Sequence, residues 1–160
     1  MLKAYSMEVL VDIRTIPRSR HNPQFNCEAL PSSLAAAGID YRHLPGLGGL
    51  RRARPDSVNI GWRNASFRGY ADYMQTPEFE AALSELIDLA RAKSVAIMCA
   101  EAVEWRCHRS LVADALTVRG IEVAHIQSAG RAKPHRMTPF AEVSGTSIVY
   151  RKEGEDRPPG

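Results

Sequence analysis

Apolar runs and turn signals alternate along the chain in the order strand, helix, strand, two helices, strand, helix, strand. Short apolar, β-branched runs predict buried strands, and apolar positions three and four residues apart predict helices. The predicted strands are Met7–Arg14, Ile39–Leu44, Val95–Cys99 and Ile121–Ile126, and the predicted helices are 26–37, 67–74, 77–90 and 108–119. This order predicts an α/β fold with one mostly parallel, Rossmann-like sheet of about four strands between layers of helices.

Two of the predicted helices carry clear start signals. Thr76 precedes Pro77 and Glu78, which combines a capping residue, a proline at the first helical position and an acid in the first turn. Asn26 can cap the first helix, but Pro31 would then lie inside it, so the helix either bends there or begins near residue 30.

Length and composition predict one domain over residues 1–150, followed by a polar, proline-rich tail over residues 151–160. The three cysteines are too few and too irregularly spaced for a disulfide framework, which favours a reducing compartment. No apolar run reaches the roughly 20 residues needed to cross a bilayer. We therefore expect a cytoplasmic protein with no membrane partner.

The net charge of +3 is small, but the positive charge is concentrated in one third of the chain. Residues 14–68 contain nine arginines and only three acidic residues. Arginine binds phosphate and carboxylate groups through two parallel hydrogen bonds. A GC-rich genome is the first explanation of the preference for arginine over lysine, but it does not explain the clustering, which predicts an anionic ligand.

The loop after the third predicted strand holds the densest group of reactive side chains, namely Cys99, Glu101, Cys107, His108 and Arg109. A thiol near arginines and a helix start can lose its proton near neutral pH, so Cys99 is a candidate nucleophile and Glu101 a candidate acid or base. Two alternatives remain open. Cys99 can be a small buried apolar residue, and the two cysteines with His108 can bind a metal, although their spacing is not typical of zinc sites and no metal site is predicted.

A second candidate group follows the first predicted strand. Asp12, Arg14, Arg18, Ser19 and Arg20 should lie at the same sheet edge as Cys99 if the strands are parallel. The three arginines indicate anion binding. Asp12 and Arg14 could equally well pair with each other and hold neighbouring loops.

A third candidate group alternates aromatic and arginine residues between residues 59 and 73. Trp62 and Arg63 fall in a predicted loop, where we expect them to be exposed, and Tyr70 falls in a short predicted helix. Such alternation is typical of surfaces on which bases stack and phosphates are neutralised. Core packing of a short helix is the alternative for the aromatic residues in it.

These segments together resemble the DUF488 family of small prokaryotic α/β proteins, for which no function is agreed. The likeness extends over residues 5–143 and rests on 11–14, 17–25, 44–49, 62–64, 67–74, 98–101 and 105–109. The resemblance implies that Arg14, Arg18–Arg20 and Cys99–Arg109 converge on one site. Family members typically begin with an additional strand that this sequence lacks, either because the start codon is misplaced or because the strand is absent. If the strand is absent, we expect an unpaired sheet edge or gap, covered by a partner such as a second copy in a homodimer or by the segment Ser147–Tyr150.

Two functions remain open at this point. The first is an enzyme that acts on a nucleotide or nucleic acid, with Cys99 as nucleophile, Glu101 as acid or base, and arginines holding phosphate. The second is a non-catalytic module in which the same arginines bind nucleic-acid phosphates. No pattern in the sequence indicates a particular cofactor.

Overall fold

The computed structural model describes residues 1–16, 22–26, 28–100 and 107–151. Its centre is a parallel sheet of three strands in the order β2-β1-β3. Two antiparallel hairpins, β4-β5 and β6-β7, follow in the C-terminal third. The elements are β1 (Val9–Asp12), α1 (Leu30–Ala36), β2 (Asp40–His43), α2 (Ala65–Tyr73), α3 (Pro77–Ala92), β3 (Val95–Met98), α4 (Arg109–Thr117), β4 (Ala124–Ser128), β5 (Arg131–Pro134), β6 (Ala141–Ser144) and β7 (Ser147–Tyr150), with short 3-10 helices at Leu2–Tyr5, Pro23–Phe25 and Pro45–Leu47.

The central strand β1 is buried on both faces because both faces are covered by helices. Val9 and Val11 pack with α2, α3 and α4, whereas Leu10 packs with α1 through Leu30 and Leu34. Successive side chains of a strand point to opposite faces, so a continuous apolar run is what a sheet between two helical layers requires.

Capping explains where the helices begin. Thr76 accepts a hydrogen bond from the backbone N–H of Phe79 at 3.3 Å, and Asn64 caps α2 through the N–H groups of Ser66 and Phe67. The first helix begins at Leu30, with Pro31 in its first turn, where the missing N–H costs no hydrogen bond. The sequence allowed this helix to begin after Asn26 or near residue 30, and it begins at the later position.

The expectation of about four strands in one mostly parallel, Rossmann-like sheet is wrong. Residues 121–126 do not form a fourth parallel strand, because Ala124–Ser128 pairs antiparallel with Arg131–Pro134 instead. Only Ala129 and Gly130 separate these two strands, and a two-residue turn closes a hairpin at a small entropic cost. Pairing with the distant β3 would require the ordering of a much longer stretch of chain.

A buried carboxylate connects the C-terminal hairpins to the helical layer. Asp114 in α4 is fully buried and accepts hydrogen bonds from the hydroxyls of Thr138 (2.7 Å) and Tyr150 (2.8 Å) and from the backbone N–H of Thr138 (3.2 Å). His135 Nε2 lies 2.7 Å from Asp114 Oδ1, and His135 Nδ1 lies 2.8 Å from Nε2 of His125. These contacts satisfy a charge that would otherwise be costly to bury.

A second buried carboxylate extends the same polar network towards the arginine-rich loop. Asp72 in α2 accepts hydrogen bonds from Ser57 (2.6 Å), the Asn59 amide (2.7 Å) and the backbone N–H of Arg54 (2.8 Å). Asn59 also accepts a hydrogen bond from the backbone N–H of Tyr150 at 3.0 Å. The loop that contains Arg54 is therefore fixed to both α2 and β7.

In the part of the chain that the structure describes, every helix is too short or too polar to cross a lipid bilayer. The predicted tail over residues 151–160 lies, except for its first residue, outside the described residues.

Gly69 offers a test of how closely the arginine-rich loop packs on α2. A Cβ at this position would lie 2.1 Å from the carbonyl oxygen of Arg51 and 2.7 Å from the backbone nitrogen of Ala53. Alanine normally stabilises a helix interior by about 1 kcal/mol relative to glycine, but here we expect Gly69→Ala to lower the free energy of unfolding by about 1–3 kcal/mol.

Urea unfolding measures the effect, and Gly130→Ala is the matched control. A Cβ at Gly130 meets nothing within 4 Å, so that variant should change stability by less than about 0.5 kcal/mol. A Gly69→Ala protein as stable as the wild type would contradict the close packing of the loop.

Candidate functional site

The loops that follow the three parallel strands meet at one edge of the sheet. The N–H of Ile13 donates to the carbonyl of Met98 at 3.0 Å, and the N–H of Leu44 donates to the carbonyl of Asp12 at 2.9 Å. Beyond the strands, the Thr15 hydroxyl donates to the carbonyl of Gly49 at 2.9 Å. Parallel α/β sheets bind ligands at this edge, so the geometry directs attention to the side chains around it.

Two sulfur atoms lie together at this edge. Cys99 follows β3, Cys107 precedes α4, and the structure joins them as a disulfide. The Cys107 sulfur accepts a hydrogen bond from the backbone N–H of Arg109 at 3.4 Å and lies 3.7 Å from Nδ1 of His108. A helix N-terminus and a nearby imidazole are two features that stabilise a thiolate when such a cysteine is reduced.

His108 connects the cysteines to the loop after β1. Its Nε2 lies 3.3 Å from the carbonyl oxygen of Ile13, and its ring packs on Tyr70 with 4.8 Å between the ring centroids. A Cβ on Gly49 would lie 3.2 Å from His108 Nδ1, which leaves little room for any residue but glycine there. The loop after β1 and the cysteine-bearing loop therefore meet, as the sequence analysis expects.

The electrostatic environment of His108 is positive. Burial lowers the pKa of His108, the backbone carbonyls of Ile13 and Leu47 act in the opposite direction, and the charges of Arg109 and Arg51 lower the pKa further. Arg51 is held by the carbonyls of Gly48 and Pro45 and lies over the ring of Tyr73, 3.7 Å from its centroid. Sequence reasoning missed Arg51 as a site residue, although the glycines at 46, 48 and 49 indicate a close backbone approach just before it.

Asp12 and Arg14 pair with each other. Arg14 Nε and Nη2 donate to the two carboxylate oxygens of Asp12 at 2.9 and 2.6 Å, and Nη2 also donates to the carbonyl of Phe25 at 2.5 Å. The hydroxyl of Tyr41 donates to the same carboxylate at 2.5 Å. Burial acts to raise the pKa of Asp12, but the hydrogen bonds from Arg14 and Tyr41 outweigh it and hold the pKa below its usual value.

The sequence allowed two roles for Asp12 and Arg14, pairing with each other or binding an anion, and the structure shows the pairing. Asp12 is fully buried and Arg14 is 5 % exposed, so the guanidinium group mainly serves the carboxylate. A role of Asp12 and Arg14 in ligand binding stays a prediction. Tyr41, which completes the group, was missed because a tyrosine on an edge strand carries no sequence signal of a distant carboxylate.

The aromatic candidates lie mostly inside the protein. Tyr70 is 1 % exposed and donates its hydroxyl hydrogen to the carbonyl of Leu47 at 2.7 Å. Trp62, which the sequence analysis expects to be exposed, is half-buried and packs against Phe67, Phe140 and Tyr150. Base stacking on Trp62 and Tyr70 stays a prediction.

Arg63 is exposed on the loop before α2. The remaining predicted site residues, Arg18, Ser19, Arg20 and Glu101, lie outside the described residues. Within the described ranges, no group of three or more histidine, cysteine or acidic side chains is arranged to hold a metal ion.

Comparison with known proteins establishes the family. A model of the family described as "Domain of unknown function DUF488" matches residues 1–116, which is well over half of the chain. The chain belongs to the DUF488 family. No curated protein and no solved structure matches the chain significantly. The matched range ends within α4, before both C-terminal hairpins.

The Asp12–Arg14 pair can be tested by removing one charge. Asp12→Asn leaves a buried guanidinium group without its carboxylate, and we expect a loss of about 3–5 kcal/mol in the free energy of unfolding. The measurement is urea unfolding at pH 7. Asp40→Asn is the matched control, because Asp40 pairs with Lys93 on the surface and its loss should cost less than about 1 kcal/mol. Equal effects of the two substitutions would contradict the structural role of the buried pair.

The lowered pKa of His108 predicts a pH dependence of stability. The unfolded chain binds a proton at His108 near pH 6.5, whereas the folded protein does so only at lower pH, so acid favours unfolding. As the pH is lowered from about 7 to about 5, the free energy of unfolding of the wild type should decrease. That of the His108→Gln variant should decrease less over the same range. Urea unfolding at both pH values measures this difference. An NMR titration of the His108 ring with a midpoint at or above 6.5 would refute it.

Proposed function

We propose that this DUF488 protein is a cysteine-dependent enzyme that acts on a phosphate-bearing substrate, either a nucleotide or a nucleic acid. The observation that carries the proposal is the meeting of Cys99, Cys107 and His108 at the carboxyl edge of the sheet. The backbone N–H of Arg109, at the start of α4, is directed at the sulfur of Cys107, the partner of Cys99, and a helix N-terminus stabilises a nearby thiolate.

Cys99 is the proposed nucleophile because it is the more exposed of the two cysteines. Cys99 is half-buried, whereas Cys107 is 3 % exposed. In the reduced enzyme, the Cys99 thiolate attacks the electrophilic centre of the substrate, the bond to the leaving group breaks, and Glu101 supplies the leaving group with a proton. Water then releases the transferred group and returns the thiolate.

The disulfide between Cys99 and Cys107 cannot perform this step. Activity therefore requires reduction by two external thiols or one dithiol, which are oxidised to a disulfide while Cys99 and Cys107 each become a free thiol. Cys107 is not required for the attack, but it lies close enough to Cys99 to form the disulfide again when the enzyme is oxidised.

The positive charge around His108 supports an anionic substrate. Arg51 and Arg109 both act on the His108 ring, and α4 presents its N-terminus to the same edge. The phosphate contacts that the sequence analysis assigns to Arg18 and Arg20 would add to this charge. The positive charge at this edge favours phosphate over a neutral substrate.

A second candidate function is non-catalytic binding of nucleic acid, and the exposed arginines favour it. Arg42, Arg52 and Arg63 are exposed, and among the described residues no carboxylate forms an ion pair with them. Binding through such residues should weaken steeply with salt, because counterions leave the phosphates.

Thiol reactivity tests the proposed nucleophile. In protein reduced with dithiothreitol, iodoacetamide at pH 6.5 should modify Cys99 at least about tenfold faster than Cys27, since a thiol of pKa near 8.5 is almost fully protonated there. Mass spectrometry of peptides measures both rates in one sample. The Cys107→Ser variant serves as a control that keeps Cys99 from being lost as a disulfide.

Activity and binding then separate the two functions. A panel of nucleotides and short single-stranded nucleic acids should be turned over by the reduced wild type and not by Cys99→Ser, while both proteins bind the substrate. Two results together would contradict the enzyme and support the non-catalytic binding function. They are equal rates of iodoacetamide modification at Cys99 and Cys27, and salt-sensitive binding of nucleic acid that is the same in the wild type and in Cys99→Ser.

A further inference from the structure

The two joined sulfurs of Cys99 and Cys107 differ in exposure and in their surroundings. Cys107 is 3 % exposed, whereas Cys99 is half-buried. The backbone N–H of Arg109 donates to the sulfur of Cys107 at 3.4 Å, and His108 Nδ1 lies 3.7 Å from the same sulfur. A reagent in solvent therefore reaches Cys99 first, while a helix N–H and an imidazole nitrogen stand ready to stabilise or form a thiolate at Cys107.

The position of His108 decides which of its ring nitrogens carries the hydrogen. Nε2 lies 3.3 Å from the carbonyl oxygen of Ile13, and a carbonyl only accepts hydrogen bonds, so Nε2 is the donor. In the neutral ring, Nδ1 then has a lone pair, and this is the nitrogen beside the sulfur of Cys107. Burial lowers the pKa of His108, which keeps the ring neutral at pH 7. His108 is therefore in the form that accepts a proton from the Cys107 thiol.

We propose that Cys99 and Cys107 form a dithiol centre that reduces disulfides of low-molecular-weight thiols, with Cys99 as the attacking cysteine, Cys107 as the resolving cysteine and His108 as the base for Cys107. The more exposed sulfur meets the substrate, and the buried sulfur completes the reaction inside the protein. Because Cys99 is itself half-buried, a small disulfide reaches it more readily than a disulfide in a folded protein. The reaction shares its attacking sulfur with the proposed function but needs no phosphate-bearing substrate.

The reduction takes place in two steps of thiol–disulfide exchange. The Cys99 thiolate attacks one sulfur of the substrate disulfide, a mixed disulfide forms, and the other half of the substrate leaves and is protonated by water. His108 Nδ1 then takes the proton of Cys107, and the Cys107 thiolate attacks the sulfur of Cys99. The Cys99–Cys107 bond forms, the second half of the substrate leaves as a thiol, and His108 releases its proton. Two electrons have passed from the enzyme to the substrate.

An external dithiol returns the enzyme to its reduced form by the reverse sequence. One of its sulfurs attacks the more exposed sulfur of Cys99, and Cys107 leaves as a thiolate that accepts the N–H of Arg109. A sulfur whose thiolate is stabilised is the better leaving group, so exposure and leaving ability favour the same direction of attack. The dithiol ends as a disulfide, and both cysteines are thiols again.

Trapping the mixed disulfide tests the first step, with oxidised glutathione as the probe. In reduced Cys107→Ser the mixed disulfide cannot be resolved, so glutathione should become attached to Cys99 at least about tenfold faster than to Cys27. Peptide mass spectrometry measures both rates in one sample. The wild type should end with the Cys99–Cys107 disulfide and both halves of the probe as reduced glutathione. In Cys99→Ser, glutathione should not become attached to Cys107, because that sulfur is buried.

His108→Gln separates the two steps, because glutamine can donate to the carbonyl of Ile13 but cannot take up a proton. We expect the variant to resolve the mixed disulfide at least about tenfold more slowly than the wild type, measured by rapid quenching and mass spectrometry. Added to Cys107→Ser, it should leave the rate of attachment at Cys99 unchanged. His43→Gln is the matched control, since the His43 ring contacts the carbonyl of Arg14 at the same sheet edge, and it should change neither rate.

The proposal is overturned if Cys99 reacts no faster than Cys27 or if the wild type retains glutathione on Cys99. Unchanged resolution in His108→Gln overturns the role of His108 as the base. A reduced protein that turns over a phosphate-bearing substrate but retains glutathione on Cys99 overturns this proposal and not the proposed function. Disulfide reduction without turnover of any phosphate-bearing substrate does the opposite.

Discussion

The buried carboxylate of Asp114 is the interaction on which the C-terminal third of the molecule depends. It lies in α4, yet its hydrogen-bond donors come from two segments that follow the helix, namely His135 and Thr138 from the loop between β5 and β6, and Tyr150 from β7. A carboxylate in the core without such donors would cost several kcal/mol. The hairpins and α4 are therefore expected to fold together, and the chain from Asp114 through Tyr150 and Asn59 to Asp72 carries this dependence into the arginine-rich loop.

The need of a buried carboxylate for hydrogen-bond donors also affects the candidate site. Arg14 stands at the correct sheet edge to bind an anion, but a buried Asp12 beside it takes up its hydrogen bonds. Among the described residues, Arg109 and Arg51 direct positive charge at the edge, and Arg51 is held by carbonyl groups and an aromatic ring. This is why the proposed chemistry rests on the cysteine pair and His108 and not on Arg14.

Local sequence signals predicted most of the helices and three of the four expected parallel strands. Thr76 and Pro77 define the start of α3, and the apolar runs at Val9–Asp12 and Val95–Met98 became strands with slightly narrower bounds. The fourth strand was wrong because an apolar run does not specify its partner. The turn at Ala129 and Gly130 let Ala124–Ser128 pair locally with Arg131–Pro134.

By itself the sequence determined most of the helices, three parallel strands, the family, the placement of Asp12, Arg14 and Cys99 at strand ends and that of Cys107 just before a helix, because these follow from periodicity, capping and short motifs. Only the tertiary structure decided that Arg14 is paired, that Tyr70 is buried, that the two cysteines touch, and that Asp114 joins distant segments. Each of these depends on contacts between residues far apart in sequence. Such contacts are selected by the need to satisfy buried polar groups and fill space, and no local pattern records that need.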